Sequence, residues 1–522
     1  MALKSPWHPL IVALVPVATM YAQFPGAATP DEIVRSAIAV LGVTAALFVI
    51  AFGVYRDGRK AALFVTAALI LFLAFDAVYS LVEPMRIGGV RPFRRAIAIP
   101  ATYVAVLAGA WLLYRTRRSL LTVTAFVNCA ALGCLLVPTA TLTYAQARAM
   151  RQTTPLLDVP VAHGDSTVKP DIYYVIFDRY GDAGTMREYG LDNTPFYDYL
   201  QNQGFYVAPQ SHSNYVKTVL SLASSLNMSY LAPVISAQGP DSENWWPVYD
   251  WIQNATVIRF LRAHGYKYNL AGSWYWPTLV HRNADRNFNY YTTVPRAAMR
   301  LLDTALMDPV RMLAPTALLD SRRQQWERVR RQIDDVIATA SDPAPTFTFV
   351  HILVPHPPYV FDKDGAYLSE AEENRRPERL NYVNQVLGAN AMARRLIEGI
   401  RARTSAPPVI ILQGDEGPYP AGTTGTRYEW REANAQQLRE KSAILNAYYL
   451  PGHSDDLYPT MTPVNTFRVV LNAYLGTQLP LLEDYVYAHE SEYHPYRMTD
   501  ITATVSATTE ARAVDQALSS PR

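Results

Sequence analysis

Long apolar runs crowd the first 145 residues of this 522-residue chain, and short ones alternate with amphipathic stretches after them. Five early runs lie near 8–24, 33–55, 61–83, 96–114 and 119–143. They approach or exceed the roughly 20 residues that cross a bilayer. The first, PLIVALVPVATMYAQF, is the shortest and carries two prolines. A cleaved signal peptide is its competing reading, but no small-residue cleavage site followed by a soluble chain is present. The short basic turns RDGRK (56–60) and RTRR (115–118) belong on the cytoplasmic side. Five spans from an inside N-terminus then deliver the chain after Tyr144 to the opposite side. The loop 84–95 runs against this rule with Arg86, Arg91, Arg94 and Arg95. Those arginines could bind anionic headgroups or the exported domain, or serve as interfacial anchors.

Beyond a linker over 146–169, DIYYVIF (171–177), FTFVHILV (347–354) and VIILQG (409–414) read as buried strands, with YYL (448–450) a weaker one. Amphipathic helices separate them, as at 320–340, where Trp326, Val329, Ile333, Val336 and Ile337 share a face. Strands alternating with helices predict an α/β domain with a mostly parallel central sheet. The expected organisation is a five-helix transmembrane domain (1–145), the linker, a catalytic domain (170–500) and a disordered tail (501–522). The net charge of +2 comes without a basic block, so nothing points to nucleic acid. Cys129 and Cys134 both lie in an apolar run, which excludes disulfides and thiolate metal sites after residue 145.

Sites in such sheets gather beyond the carboxyl ends of strands. The first strand ends in Asp178, the second in Pro355-His356-Pro357, and the third in Asp415-Glu416-Gly417. Asp415 and Glu416 are either the wet edge of a loop or one wall of a cation site. From Thr218 the stretch SHSNYVKTVLSLASSLNMSYL reads as a helix, which places Thr218 at its N-terminus. A hydroxyl there can attack a phosphate or sulfate whose charge the helix end stabilises, or simply cap the helix. His351, inside a strand, reads as a core histidine, and His453 as a weak further ligand. NWWPVYDW (244–251) and GSWYWP (272–277) could stack on a sugar, rest on the bilayer interface, or pack the core.

DIYYVIFDRYG, NTPFYDYLQNQGFYV, SNYVKTVLSLASSLNM, HILVPHPPYVFD and QGDEGP, in that order, resemble the sulfatase-like branch of the alkaline phosphatase superfamily. With five N-terminal spans the chain looks most like the lipoteichoic acid synthase group and the phosphoethanolamine transferases. The resemblance implies a site: Asp178, Thr218, Asp415 and Glu416 as metal ligands, Thr218 also as nucleophile, and His356 near the substrate or leaving group. The family's usual third motif is Asp-His-Gly, so Glu416 is a departure. A carboxylate there favours one hard divalent ion, Mn²⁺ or Mg²⁺, with Ca²⁺ or Zn²⁺ as further options. The implied activity is transfer of a phospho-substituted group, such as phosphoglycerol or phosphoethanolamine. It would pass from a phospholipid headgroup donor to an envelope glycan or lipid through a covalent threonine intermediate. Hydrolysis at the same site and a non-catalytic glycan- or partner-binding role are the alternatives. The expected location is a bacterial inner membrane, with the catalytic domain on the periplasmic or extracellular face. No Cys-x-Pro-x-Arg context exists for a formylglycine, so the resemblance to sulfatases implies fold and not sulfatase activity.

Overall fold

The computed structural model describes residues 4–23, 30–83, 85–86, 94–151, 169–289, 304–313, 321–420 and 428–506. The chain divides into two units, Met1–Gln152 with Tyr291–Gln324, and Thr153–Tyr290 with Gln325–Arg522.

The first unit holds five helices: α1 (His8–Gln23), α2 (Pro30–Tyr55), α3 (Gly58–Val82), α4 (Arg95–Arg115) and α5 (Leu121–Arg151). Four of them are long and apolar enough to cross a membrane, and α1 is a shorter apolar helix. Their outer faces carry bare apolar side chains: Leu81, Leu107 and Phe126 are 71%, 69% and 73% exposed. Such a surface suits lipid and not water. Buried polar groups tie α1 to its neighbours. His8 N–H donates to Asn128 Oδ1 (2.9 Å), and the His8 ring meets Thr66 Oγ1 at 2.6 Å. In hydrocarbon such groups are satisfied only by one another, so they fix which helices pair. The basic turn at 56–60 doubles as a cap, because Asp57 accepts from the N–H groups of Arg59 and Lys60 (2.8 and 3.1 Å).

Two boundaries differ from those expected. Helix α5 runs on to Arg151, into the expected linker, whose residues 152–168 lie outside the described residues. Residues 304–313, placed by sequence in the soluble domain, join the helical unit. Ala305 and Leu306 pack with Phe75, Tyr79 and Ile99, and Ala305 N–H donates to Asp76 (3.3 and 3.4 Å). Asp76, an acid inside α3, thereby has a backbone partner. Most of the arginine-rich loop 84–95 lies outside the described residues; Arg95 begins α4 with its guanidinium over the Tyr79 ring.

In the second unit a seven-stranded sheet has the order β2-β7-β6-β1-β5-β3-β4. The strands are β1 (Ile172–Phe177), β2 (Tyr206–Val207), β3 (Lys267–Ala271), β4 (Arg286–Asn287), β5 (Thr346–Ile352), β6 (Val409–Gly414) and β7 (Asn446–Tyr449). Central β1 runs parallel to both β5 and β6, and only β7 brings antiparallel pairings. All residues of β1, β5 and β6 are buried, because helices cover both faces, and that makes them near-continuous apolar runs. One face packs on the helices Thr218–Asn227 and Pro463–Leu475, the other on Ser321–Thr339 and Glu378–Arg401. A separate hairpin, β8 (Tyr487–Ser491) and β9 (His494–Asp500), follows. The expected disordered tail starts too early. Ile501 and Val505 are buried with Val216 and Trp430, while 507–522 lies outside the described residues.

Candidate active site

The parallel register decides what meets at the top of the sheet. Asp178 directly follows β1, and its N–H donates to Ile352 O of β5 (2.9 Å). His351 on β5 lies opposite Ile176, and Gly414, the last residue of β6, lies opposite Phe177. Three neighbouring strand ends therefore present Asp178, His351 and Asp415 together, with one ligand atom of each within 4.8 Å of the others. All three are buried, and Asp178 Oδ1, His351 Nε2 and Asp415 Oδ2 have no hydrogen-bond partner. Two buried carboxylates with orphaned oxygens beside an open imidazole nitrogen are costly unless a cation joins them. The donor set fits a divalent metal.

His351 is oriented for that use. Its Nδ1 lies 2.6 Å from Thr278 Oγ1, whose own hydroxyl donates to Tyr275 O (3.4 Å). With Nδ1 donating to that hydroxyl, the Nε2 lone pair faces Asp178 Oδ2 at 3.3 Å. A hydroxyl behind a metal-ligating histidine fixes ring and tautomer in this way. Burial holds the imidazole neutral, lowering its pKa to about 4. Burial also pushes Asp178 and Asp415 up to about 7, with Glu416 adding repulsion to each and Asp178 adding it to Asp415.

Glu416 is not in this group. Its Oε1 lies 2.6 Å from the Lys441 ammonium, which is wholly buried, and 3.4 Å from Arg179 Nε. Lys441 also donates to Gly417 O (3.3 Å) and stands 3.6 Å from the Tyr419 ring centre. The residue expected as a metal ligand is thus the anion of a compensated ionic cluster. The residue read as core packing, His351, stands in the metal-capable group instead. Its signal was its place in the strand, two residues short of the register where β1 and β6 deliver their carboxylates.

Arg179 links the two clusters. It has a positive φ of 65°, its N–H donates to Asp415 Oδ1 (3.0 Å), and its guanidinium lies over the Tyr419 ring. Gly417 is required by close approach. A Cβ there would stand 2.1 Å from Glu440 O, and Gly417 N–H donates to Lys441 O (2.7 Å).

Thr218 is the first residue of the helix Thr218–Asn227, 6% exposed, after an extended Lys217 that provides no side-chain cap. Lys217 pairs with Glu492 at 2.5 Å, and its charge is felt at Asp178. His356 is half-buried beside Trp274. Its Nδ1 meets the Pro357 carbonyl, which can only accept, so Nδ1 carries the proton and Nε2 is open. Burial, Arg179 and Lys441 keep this ring neutral, with its pKa well below the usual value. His453 is half-buried on a turn with Asp456 and lies outside the metal-capable group. Among the aromatic stretches, Trp251 is core, Tyr275 flanks His351 and Trp274 flanks His356.

A buried divalent-metal-capable centre beyond the strand ends of a largely parallel α/β sheet is the arrangement expected of an enzyme of the alkaline phosphatase superfamily. The Sulfatase family model matches residues 170–462, more than half of the sequence, and the chain belongs to that family. No curated protein matches it. Among solved structures, the C-terminal periplasmic domain of EptC from Escherichia coli aligns at 14% identity and a TM-score of 0.43, covering 66% of this chain and 96% of that one. The integral membrane lipooligosaccharide phosphoethanolamine transferase A from Neisseria meningitidis aligns at 13% and 0.39, over 91% of this chain and 95% of its own. A putative sulfatase from Bacteroides fragilis aligns at 14% and 0.39, over 63% and 83%.

Proposed function

We propose that this chain is a membrane-anchored, divalent-metal-dependent transferase that moves a phospho-substituted group from a lipid donor to an envelope glycan or lipid. The observation that carries this reading is the trio of orphaned donor atoms on Asp178, His351 and Asp415. Family membership and the apolar helices of the first unit agree with it. The site would face the periplasmic or extracellular side of a bacterial inner membrane, where lipid headgroups are within reach of a tethered domain.

Asp178, His351 and Asp415 would hold the ion, and Thr218 would stand as nucleophile at the helix start. With an imidazole in the set and Glu416 withdrawn, the site suits Mn²⁺ or Zn²⁺ better than Mg²⁺ or Ca²⁺. A bound divalent ion lowers the pKa of a neighbouring hydroxyl and offsets charge on the transferring group. Thr218 Oγ1 displaces the donor alcohol, its bond to phosphorus forming as the donor P–O bond breaks. The acceptor hydroxyl then displaces Thr218. Across both halves one proton passes from acceptor to departing alcohol, and the open Nε2 of neutral His356 is the group suited to carry it. The first-turn N–H groups, with no side chain capping them, favour the anionic group that Thr218 attacks.

The test is intact mass of the full-length protein after incubation with Mn²⁺ and bacterial lipid extract. A phospho-adduct is expected on the wild type and not on Thr218→Ala. Turnover with no adduct, or an adduct that persists in Thr218→Ala, would overturn the covalent route. Release of the group to water alone, with every glycan and lipid acceptor supplied, would make the enzyme a hydrolase.

A further inference from the structure

The family match ends at residue 462, yet the chain returns to the site after it. Strand β8 is pinned beside the residues that precede Thr218. Tyr487 N–H donates to Asn214 O (2.9 Å), Tyr487 bridges Tyr215, and Val486 and Ala488 pack with Val216 and Trp430. The register of the hairpin shifts between His489 and Ser491. Bulges of this kind re-aim side chains.

His489 is 1% exposed, and neither of its ring nitrogens has a hydrogen-bond partner. Its neighbours explain why no internal group serves it. The Trp245 ring stands edge-on at 6.0 Å and sends its own N–H to Glu492 O. The charges that reach His489 are the ammonium groups of Lys217 and Lys441, which are donors only. Burial and those two cations keep the imidazole neutral, so it offers one donor and one acceptor. An unpaired buried polar group is destabilising, and here there are two on one ring. The Trp245 ring beside His489 also stands 5.9 Å from the Lys217 ammonium, and Glu492 of the hairpin turn pairs with that same lysine, the residue that precedes Thr218.

We infer that His489 contacts the transferred group itself, pairing its donor with a phosphate oxygen and its acceptor with an O–H or N–H of the same substituent. The ligand class is a phosphate ester carrying a hydroxyl or ammonium a few atoms from phosphorus, which describes glycerol phosphate and ethanolamine phosphate alike. This rests on the phospho-transfer reading of the site and adds a substrate-contacting residue from outside the family-matched segment.

Calorimetric titration of Mn²⁺-loaded full-length protein with glycerol 3-phosphate, phosphoethanolamine and ethyl phosphate tests it. The wild type should bind at least one of the first two more tightly than ethyl phosphate, by roughly tenfold. The two arms show which substituent is preferred. His489→Phe should erase that difference while leaving the unliganded unfolding temperature unchanged or higher, since it removes orphaned polar atoms. His489→Gln, with one donor and one acceptor, should restore part of it. Wild-type discrimination in His489→Phe would overturn the inference. Asp178→Asn separates the two claims. Loss of ester binding there with His489→Phe unaffected keeps the transfer site and removes His489 from it. Loss in His489→Phe with Asp178→Asn unaffected keeps His489 as an ester contact and overturns the metal-site reading. A wild type that binds none of the three overturns both.

Discussion

Two clusters of buried charge stand side by side beyond the central strands, and they are balanced in opposite ways. Asp178 and Asp415 share a neutral histidine, and each keeps an orphaned carboxylate oxygen. One residue further along, Glu416 sits between the Lys441 ammonium and the Arg179 guanidinium. The first cluster has only the Arg179 guanidinium at its edge, 3.8 Å from Asp178, whereas the second holds an ammonium 2.6 Å from its carboxylate, although Glu416 Oε2 is also left without a hydrogen bond. Adjacent positions in one motif, both acidic and both buried, have therefore taken different work. Asp415 is available to a cation from outside the chain. Glu416 is committed to cations within it, and its carboxylate fixes Lys441 under Tyr419.

Removing the acidic pair should give the largest effect and split metal binding from stability. Asp178→Asn with Asp415→Asn leaves one nitrogen and two neutral amides, and Mn²⁺ affinity should fall by more than ~1,000-fold, since ligands matter more than the outer partners that cost 10–100-fold. Equilibrium dialysis with elemental analysis reads this. The same variant without metal should unfold at a higher temperature than the wild type at pH 8, because two buried and mutually repelling charges are gone. A wild-type affinity for Mn²⁺ would remove these carboxylates from the metal site.

Breaking the second cluster should act the other way. Lys441→Met strips Glu416 of its closest counter-charge in a fully buried setting, which should cost about 3–5 kcal/mol. The full-length protein's soluble-domain transition should move down in temperature whether or not metal is present. Adding Glu416→Gln should recover much of that loss, since the stranded carboxylate is then neutral. A Lys441→Met protein as stable as the wild type would show that Arg179 alone balances Glu416.

The contrast also explains what could be read from the residues alone. Strands β1, β5 and β6 announce themselves as apolar runs because helices cover both their faces, and Asp178 and Asp415 follow from the rule about strand ends. Thr218 was found at the helix start where the structure has it. His351 was hidden because its place depends on register: paired with Ile176, two positions before Asp178, it still brings a ring nitrogen within 4.8 Å of both aspartates. The ion pair of Glu416 could not be read locally, because its partner, Lys441, comes from a helix 25 residues later that no local pattern connects to it. Strand β3, KYNLA, alternates too weakly to be seen, and His489 lies on a hairpin without a family motif.

The gentlest way to sharpen the comparison is to titrate it. Asp178 and Asp415 have pKa values pushed up to about 7 from an ordinary 3.8. Without metal, the folded chain therefore holds protons between pH 4 and 7 that the unfolded chain has already released. The sign follows: metal-free stability is greatest below pH 4 as far as these two groups are concerned, and falls as pH rises through 7. Metal must displace the same protons, so Mn²⁺ affinity should climb with pH below 7, by between one and two decades per unit at about two protons released, and flatten above it. Calorimetry in two buffers of different ionisation enthalpy counts the protons directly. A release near two at pH 6, falling toward zero by pH 8.5, is the expected course. A pH-independent affinity would mean that the carboxylates are already charged in the metal-free fold, and that some cation of the chain itself, with Arg179 the nearest at 3.8 Å from Asp178, neutralises them.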